Sequence, residues 1–413
     1  MKIIFITILF LIFHFKISEG QRTSLEQLLP LFRMIKDSSL AALTPTTRDS
    51  RNFRLAEDLH KLQPRLNDDV PFPCDVNDAR SEKRPKSVHN LRPGDIDIIA
   101  ALGDSLTAGA GLVATNILGI ILEHRGMAFS IGGQDTWRQF VTLPNILKEF
   151  NPKLFGFATQ DTFGHHKEVQ FNAAEVGAMS RDLPYMASVL IKRLQDDSRV
   201  NIAKHWKIIS IMIGSNDFCA DVCYSKNPES SIEAHRKHMT KALRLLRDSL
   251  PRTLVNVLVT PNLKVLANVT LSNRPPLCYF THNVECPCLF GLQFAHLQDR
   301  LEKIMVKWQD IEIELANSPE FDRDDFTVVV QPFTANYTLH RTARGLTDYS
   351  SLSEDCFHLS QKENARAGLS LWNNILEPVG KKSATPSELY HFKCPSKEHP
   401  FIFTRRNSIH VVS

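Results

Sequence analysis

The sequence predicts an α/β fold in which a parallel sheet is covered by helices on both faces, a three-layer arrangement. Three observations point to it. Short apolar runs at 96–102, 207–213, 254–260 and 326–331 have the length of strands. Stretches at 180–195, 232–249, 289–316 and 361–375 carry apolar residues at helical spacing and fall between or after those runs. Strands that are apolar nearly throughout, and that alternate with helices, belong to a parallel sheet buried on two sides.

The elements follow in order. Lys2 precedes an unbroken run of eleven mostly apolar residues, 3–13, and Ser18-Glu19-Gly20 puts small residues where a signal peptidase cuts. The run is shorter than the roughly 18–20 residues that cross a bilayer, so 1–20 is expected to be a cleaved secretory signal and not an anchor. The chain is then secreted, in the extracellular space or an endomembrane lumen, with no transmembrane segment in its mature form. Residues 21–94 are expected to form an N-terminal helical segment, 23–43 with Pro30 inside it, followed by a surface linker rich in proline and charge from 63 onward. The α/β domain occupies 95–380. A C-terminal tail, 381–413, has little periodicity and is expected to wrap the surface.

Composition sets outer limits. The 413 residues are 43% hydrophobic and 23% charged with a formal net charge of +4, ordinary for a globular protein. There is no long basic block, which argues against nucleic acid as a partner. Eight cysteines, all beyond the signal, suggest up to four disulfides in an oxidising compartment. Their connectivity is open; Cys219 and Cys223 are close enough to form a local pair. Cys278, Cys286 and Cys288 raise the alternative of a metal site, but zinc calls for a clearer pair of close ligands, and no metal is expected. Asn268-Val269-Thr270 and Asn336-Tyr337-Thr338 are N-glycosylation sequons that fit the same compartment.

The chemistry centres on Ala101-Leu102-Gly103-Asp104-Ser105-Leu106-Thr107-Ala108-Gly109. A serine on the first turn after a strand is fixed in place, and the helix start beside it offers free N–H groups to a developing anion. Ser105 is therefore a candidate nucleophile, with a helix N-cap as the competing reading. The turn is not the G-x-S-x-G elbow, because Thr107 stands where the second glycine belongs. Three distant segments complete a set: Asn172-Ala173-Ala174-Glu175-Val176-Gly177, Gly214-Ser215-Asn216-Asp217, and Asp355-Cys356-Phe357-His358.

This order of motifs resembles the GDSL or SGNH hydrolase superfamily. Further stretches resemble its phospholipase B branch: 87–96, Phe72-Pro73-Cys74, Ser130-Ile131-Gly132-Gly133, 142–151, Asn216-Asp217-Phe218-Cys219 and 355–360. The resemblance covers roughly 72–378. It implies a flavodoxin-like SGNH-hydrolase fold over 95–380 and a serine esterase that removes acyl chains from phospholipids and lysophospholipids, at a membrane or micelle surface, without a cofactor. His358 is then the base that takes the Ser105 proton, and Asp355, three residues earlier, folds back to hold the imidazole. The oxyanion hole implied by the resemblance is the N–H of Ser105, the N–H of Gly177 and the side-chain amide of Asn216. Asp104 and Asp217 are expected to hold their loops. His165-His166 reads as a solvated pair. Trp137 and Phe140 could line an acyl site but read more readily as core. An esterase for another ester, such as an acetylated glycan or neutral lipid, and a lipid-binding protein with decayed catalysis are the rival readings. The intact Ser105, Asp355 and His358 weigh against the last.

Overall fold

The computed structural model of the protein describes residues 24–43, 50–267, 269 and 271–412. The signal segment and positions 268 and 270 of the first sequon lie outside them.

In chain order the elements are α1 (Ser24–Leu43), α2 (Ser50–Asp58), β1 (Ile98–Gly103), α3 (Ser105–Ala108), α4 (Leu143–Phe150), α5 (Leu183–Asp196), β2 (Lys207–Met212), α6 (Ser215–Ala220), α7 (Ser230–Ser249), β3 (Thr253–Leu258), α8 (Lys264–Ala267), α9 (Pro276–Glu285), α10 (Pro287–Phe290), α11 (Gln298–Ala316), β4 (Phe326–Gln331), α12 (Gln361–Ile375) and α13 (Arg405–Val412). The four strands pair in parallel in the order β1-β2-β3-β4. Beyond β1, among the described residues, the sheet continues as isolated parallel bridges, Ile98 to Phe155 and Ala101 to Asn172. The chain between β1 and β2 therefore lies on the outer side of β1, and the connection reverses direction there. Ligands of open α/β sheets bind beyond the strand ends at such a point.

All four strands are buried along their whole length. Alternate residues serve two cores. Ile98, Ala100, Ile209, Ile211, Val255 and Val257 pack with Leu190 of α5, Leu243 of α7 and Ile311 of α11. Ile99, Ala101, Ile208 and Leu254 pack with Ile146 of α4 and with Leu369 and Trp372 of α12. This is the three-layer parallel α/β fold that the apolar runs predict. Truncating one fully buried member, such as Leu243→Ala, costs about 2–5 kcal/mol.

Several local expectations are corrected. The stretch 289–316 is not one helix. Gly291 ends α10, a 3₁₀ segment (Leu292–Leu297) intervenes, and α11 begins at Gln298. The proline-rich stretch before β1 is not all surface, since Val88 and Leu91 are fully buried. The tail ends in α13, and Cys394 within it is bonded to Cys74. Trp137 and Phe140 are core residues: Trp137 meets Phe72 and Phe392 edge-on, and Phe140 meets Phe53. Cys219 and Cys223 do not pair with each other. They form two rungs, Cys219–Cys286 and Cys223–Cys288, because both face the short α10 segment. The fourth bridge is Cys278–Cys356. His165 and His166 are half-buried, their rings 4.4 Å apart, and Thr162 hydrogen-bonds the His166 ring at 2.6 Å.

Candidate active site

β1 breaks off at Gly103, where a Cβ would stand 2.3 Å from Thr107 Oγ1 and 2.6 Å from the Met212 carbonyl. The next residue, Asp104, caps α3 by accepting the Leu106 N–H at 3.0 Å. The cap is thus Asp104 and not Ser105, and the Ser105 hydroxyl is left for another partner. That partner is His358. Ser105 Oγ–H donates to His358 Nε2 at 2.8 Å, and His358 Nδ1–H donates to Asp355 Oδ2 at 2.5 Å.

The last two residues of this set come from one closed turn. Leu352 and Leu359 bridge across it, and the Ser353 N–H donates to the His358 carbonyl at 2.8 Å. Cys356 takes a positive φ of 60°, and Asp355 Oδ1 accepts the N–H groups of Phe357 and His358, each at 3.0 Å. Ser353 Oγ–H ties the turn to the Gly111 carbonyl at 2.7 Å, close to the end of α3. Asp355 is wholly buried, Ser105 5% and His358 8% exposed, so little water competes for these bonds.

The loop carrying Gly177 is laid along the end of β1. Ala173 N–H donates to Ala101 O at 2.9 Å and Glu175 N–H to Gly103 O at 3.1 Å. The Asn172 side chain fixes its start, donating to Thr107 O at 3.1 Å and accepting the Ala174 N–H. Arg125, fully buried and paired with Glu123, donates to Ala174 O at 2.8 Å, and Arg193 donates to Asn172 O at 3.0 Å. From α1, Arg33 reaches Glu175 and Lys36 reaches Glu123. Gly177 itself has φ +79° with open space where a Cβ would be. Among the described residues neither its N–H nor that of Ser105 is taken by another group. Asn216 enters from the end of β2, past Gly214 at φ +123°. One of its amide hydrogens is donated to Ala178 O at 2.9 Å, which leaves the second free. Gly103 and Met212 are register partners, so the loops after β1 and β2 meet at one sheet edge.

The electrostatics favour the imidazolium form of His358. Burial pulls His358 down, but Asp355, with Glu285 and Asp104 behind it, outweighs this and holds the ring at about 9. Burial likewise disfavours the Asp355 anion, yet His358 and the two turn N–H groups keep its carboxyl below the usual range. Burial raises Asp104 to about 6 and Asp217 to about 7. Asp217 accepts the Ser180 N–H at 2.9 Å, so both acids hold loops, as expected. A hydroxyl, an imidazole and a carboxylate in this order can move a proton during attack on an ester carbonyl.

An apolar cavity of about 70 Å³ is lined by Leu106 and Phe357, the sequence neighbours of Ser105 and His358, and by Phe129, Met212, Phe333 and Leu359. A second cavity of about 370 Å³ shares Val265, Tyr337 and Leu339 with it. The five residues that the sequence singles out, Ser105, Gly177, Asn216, Asp355 and His358, lie around one sheet edge. The sequence does not single out Arg125, Glu123, Arg193 and Glu285, which carry no motif, or the cavity walls, which read as ordinary core.

A family model, GDSL-like Lipase/Acylhydrolase, matches residues 99–371. The membrane-associated phospholipase B1 of Rattus norvegicus is 37% identical over 383 residues, 89% of this chain and 25% of that protein. Its counterpart in Homo sapiens is 38% identical over 334 residues, 79% of this chain and 22% of that protein. The chain thus spans about a quarter of the length of the curated relatives it matches. Phospholipase A1 from Streptomyces albidoflavus NA297 aligns at 13% identity and a TM-score of 0.29, over 66% of this chain and 95% of that one. With the family model matching well over half of its residues, the chain belongs to the GDSL-like lipases and acylhydrolases, which are carboxylic ester hydrolases, and within them to the phospholipase B-like branch.

Proposed function

We propose that the protein is a secreted serine esterase that hydrolyses the acyl esters of phospholipids and lysophospholipids. Ser105 Oγ attacks the ester carbonyl while its proton passes to His358 Nε2, and Asp355 steadies the imidazolium. The Ser105 and Gly177 N–H groups and the free Asn216 N–H receive the negative oxygen. As the tetrahedral intermediate collapses, His358 returns the proton to the departing glyceryl oxygen and leaves an acyl-Ser105 ester. Water, deprotonated by His358, then releases the fatty acid and restores Ser105. No step calls for a metal or an organic cofactor.

The observation that carries this reading is the Ser105–His358–Asp355 chain, at 2.8 and 2.5 Å. The names of the similar proteins support lipid over glycan. So does α9. Leu277, Phe280 and Val284 lie on one of its faces, exposed at 39%, 67% and 62%. An exposed apolar face on the helix that holds the Asp355–His358 turn suits a lipid aggregate. Among the described residues no helix is long and apolar enough to cross a membrane.

Mass spectrometry of products from diacyl phosphatidylcholine, lysophosphatidylcholine and an acetylated glycan, without added calcium, tests the proposal. Fatty acid should leave both lipids. Acetate from the glycan with no fatty acid from either lipid replaces the lipid reading with the glycan one. Intact mass of the exported protein, expected to begin near Gln21, tests secretion.

A further inference from the structure

Glu285 closes α9 on the face turned away from solvent. That face, Cys278, Thr281, His282 and Glu285, follows i, i+3, i+4, i+7 spacing. Its first three members grip the turn that carries Asp355 and His358. Cys278 is bonded to Cys356, Thr281 Oγ–H donates to the Asp355 carbonyl at 2.6 Å, and His282 Nε2–H donates to the Cys356 carbonyl at 2.7 Å. The fourth member meets the side chains of the same turn. One oxygen of Glu285, one of Asp355 and a ring nitrogen of His358 all lie within 4.8 Å of one another. Glu285 Oε2 is buried and has no hydrogen-bond partner among the described residues.

We propose that Glu285 is a positioning residue of this site, a second carboxyl that shares a proton with Asp355 and so sets how firmly Asp355 holds the His358 ring. The proposal rests on the reading of Ser105, His358 and Asp355 as the reacting unit.

Two ionised carboxylates at this separation repel, so below about pH 7 one of them carries a proton. Burial first, and the Asp355 charge second, raise Glu285 to about 7, whereas His358 and the turn N–H groups keep Asp355 ionised. Glu285 is therefore the protonated member, with its O–H directed to Asp355. The other groups around it are few. Asp104 faces His358 from the start of α3. His282 lies on Glu285's own helix and accepts from Arg274 at 2.5 Å, and burial lowers its pKa. On α6, joined through Cys219–Cys286, Asp217 is taken up by Ser180. When Glu285 loses its proton, the added charge favours the imidazolium, and His358 becomes harder to return to its neutral, base form.

The test is the titration of the His358 ring, followed by NMR in the full-length Ser105→Ala protein with and without Glu285→Gln. Glutamine keeps a donor to Asp355 and cannot ionise. The His358 midpoint should fall by roughly one pH unit, and with Ser105 intact the acid limb of kcat/KM on a soluble short-chain ester should move the same way with KM little changed. An unchanged midpoint and pH profile overturns the proposal. Should the glutamine variant not fold, Glu285→Asp withdraws the carboxyl by one methylene, and a smaller shift of the same sign is expected. No shift there overturns the proposal equally. A purely structural Glu285 would move the melting temperature and leave the titration alone. Substantial turnover by Ser105→Ala would instead defeat the underlying reading, a different outcome from an unmoved His358.

Discussion

Cys278 on α9 is bonded to Cys356, the residue directly after Asp355, so the turn that carries Asp355 and His358 is covalently fastened to a helix. Cys356 holds a positive φ, a conformation that a non-glycine residue keeps only when its surroundings impose it. The bridge and the Thr281 and His282 hydrogen bonds together supply that constraint. The Cys74–Cys394 bridge is the useful contrast. It spans 320 residues against 78, and ties the tail to the segment before β1, on the α4 side of the sheet.

Paired Cys→Ala variants should separate stability from activity. Loop-closure entropy grows with the logarithm of loop length, so losing Cys74–Cys394 should destabilise by about 1 kcal/mol more than losing Cys278–Cys356. Turnover should show the opposite order, with the greater loss when Cys278–Cys356 is removed. Chemical denaturation and kcat measured on both variants check this. Equal activity losses would mean that the bridge at Cys356 does not hold the turn.

Ser105→Ala should lower kcat on the order of 10³-fold or more, His358→Ala nearly as much, and the double variant little further, because the pair acts as a unit. A fluorophosphonate probe should label Ser105. The pH dependence follows from His358. Its imidazolium cannot accept the serine proton, so kcat/KM should climb with pH until about 9. Stability should run the other way. A ring whose folded value lies above its ordinary 6.5 stabilises fully below that value, and the contribution is lost as pH rises through about 9. Melting temperature and kcat/KM measured together from pH 6 to 9.5 should therefore diverge. A joint rise would place the titrating group elsewhere.

Much of this could be read from the sequence, for physical reasons. Strands buried on two faces are apolar at nearly every position, so 207–212 and 326–331 stand out against any background. Ser105, Gly177, Asn216, Asp355 and His358 each sit in a short fixed pattern, because a loop at a strand end must place one atom using only a few residues. Glu285, Arg125 and Glu123 act through contacts made only in the folded chain, Arg125 with backbone carbonyls 47 and 49 residues away. No spacing encodes such contacts. The cysteines show the same limit. Cys219 and Cys223 are one turn apart, which permits a local bond, but both look toward Cys286 and Cys288 once α6 and α10 pack.

Asn216→Ala should lower kcat by roughly 10²–10³-fold with little change in KM, since an oxyanion donor acts mainly in the transition state. Gly177→Ala isolates backbone geometry. The new methyl meets nothing within 4 Å, so its stability cost should be only about 1 kcal/mol, from the positive φ alone. Its kcat should fall by more than that figure implies, because relaxing φ turns the N–H away from the oxyanion. A rise in KM with kcat held, in either variant, would assign that residue to substrate binding.

The outer face of α9 gives the sharpest test of the lipid reading. Phe280 and Val284 are 67% and 62% exposed on a helix whose inner face holds the His358 turn. Large apolar side chains kept in water on a helix that holds the Asp355–His358 turn make sense if, under the proposed function, they enter a lipid aggregate during turnover. Phe280→Glu with Val284→Glu should weaken binding to phosphatidylcholine vesicles and reduce hydrolysis of vesicle lipid by on the order of a hundredfold, since each replaces an apolar group worth about 1.5–3 kcal/mol of burial with a charge. The loss on a monomeric short-chain phosphatidylcholine should be distinctly smaller, because that substrate reaches Ser105 without an interface. Co-flotation with vesicles and initial rates above and below the aggregation threshold of the short-chain lipid read out both effects. Equal losses in the two regimes would mean that the face supports the His358 turn and does not touch lipid. No loss in either would remove α9 from the substrate surface altogether.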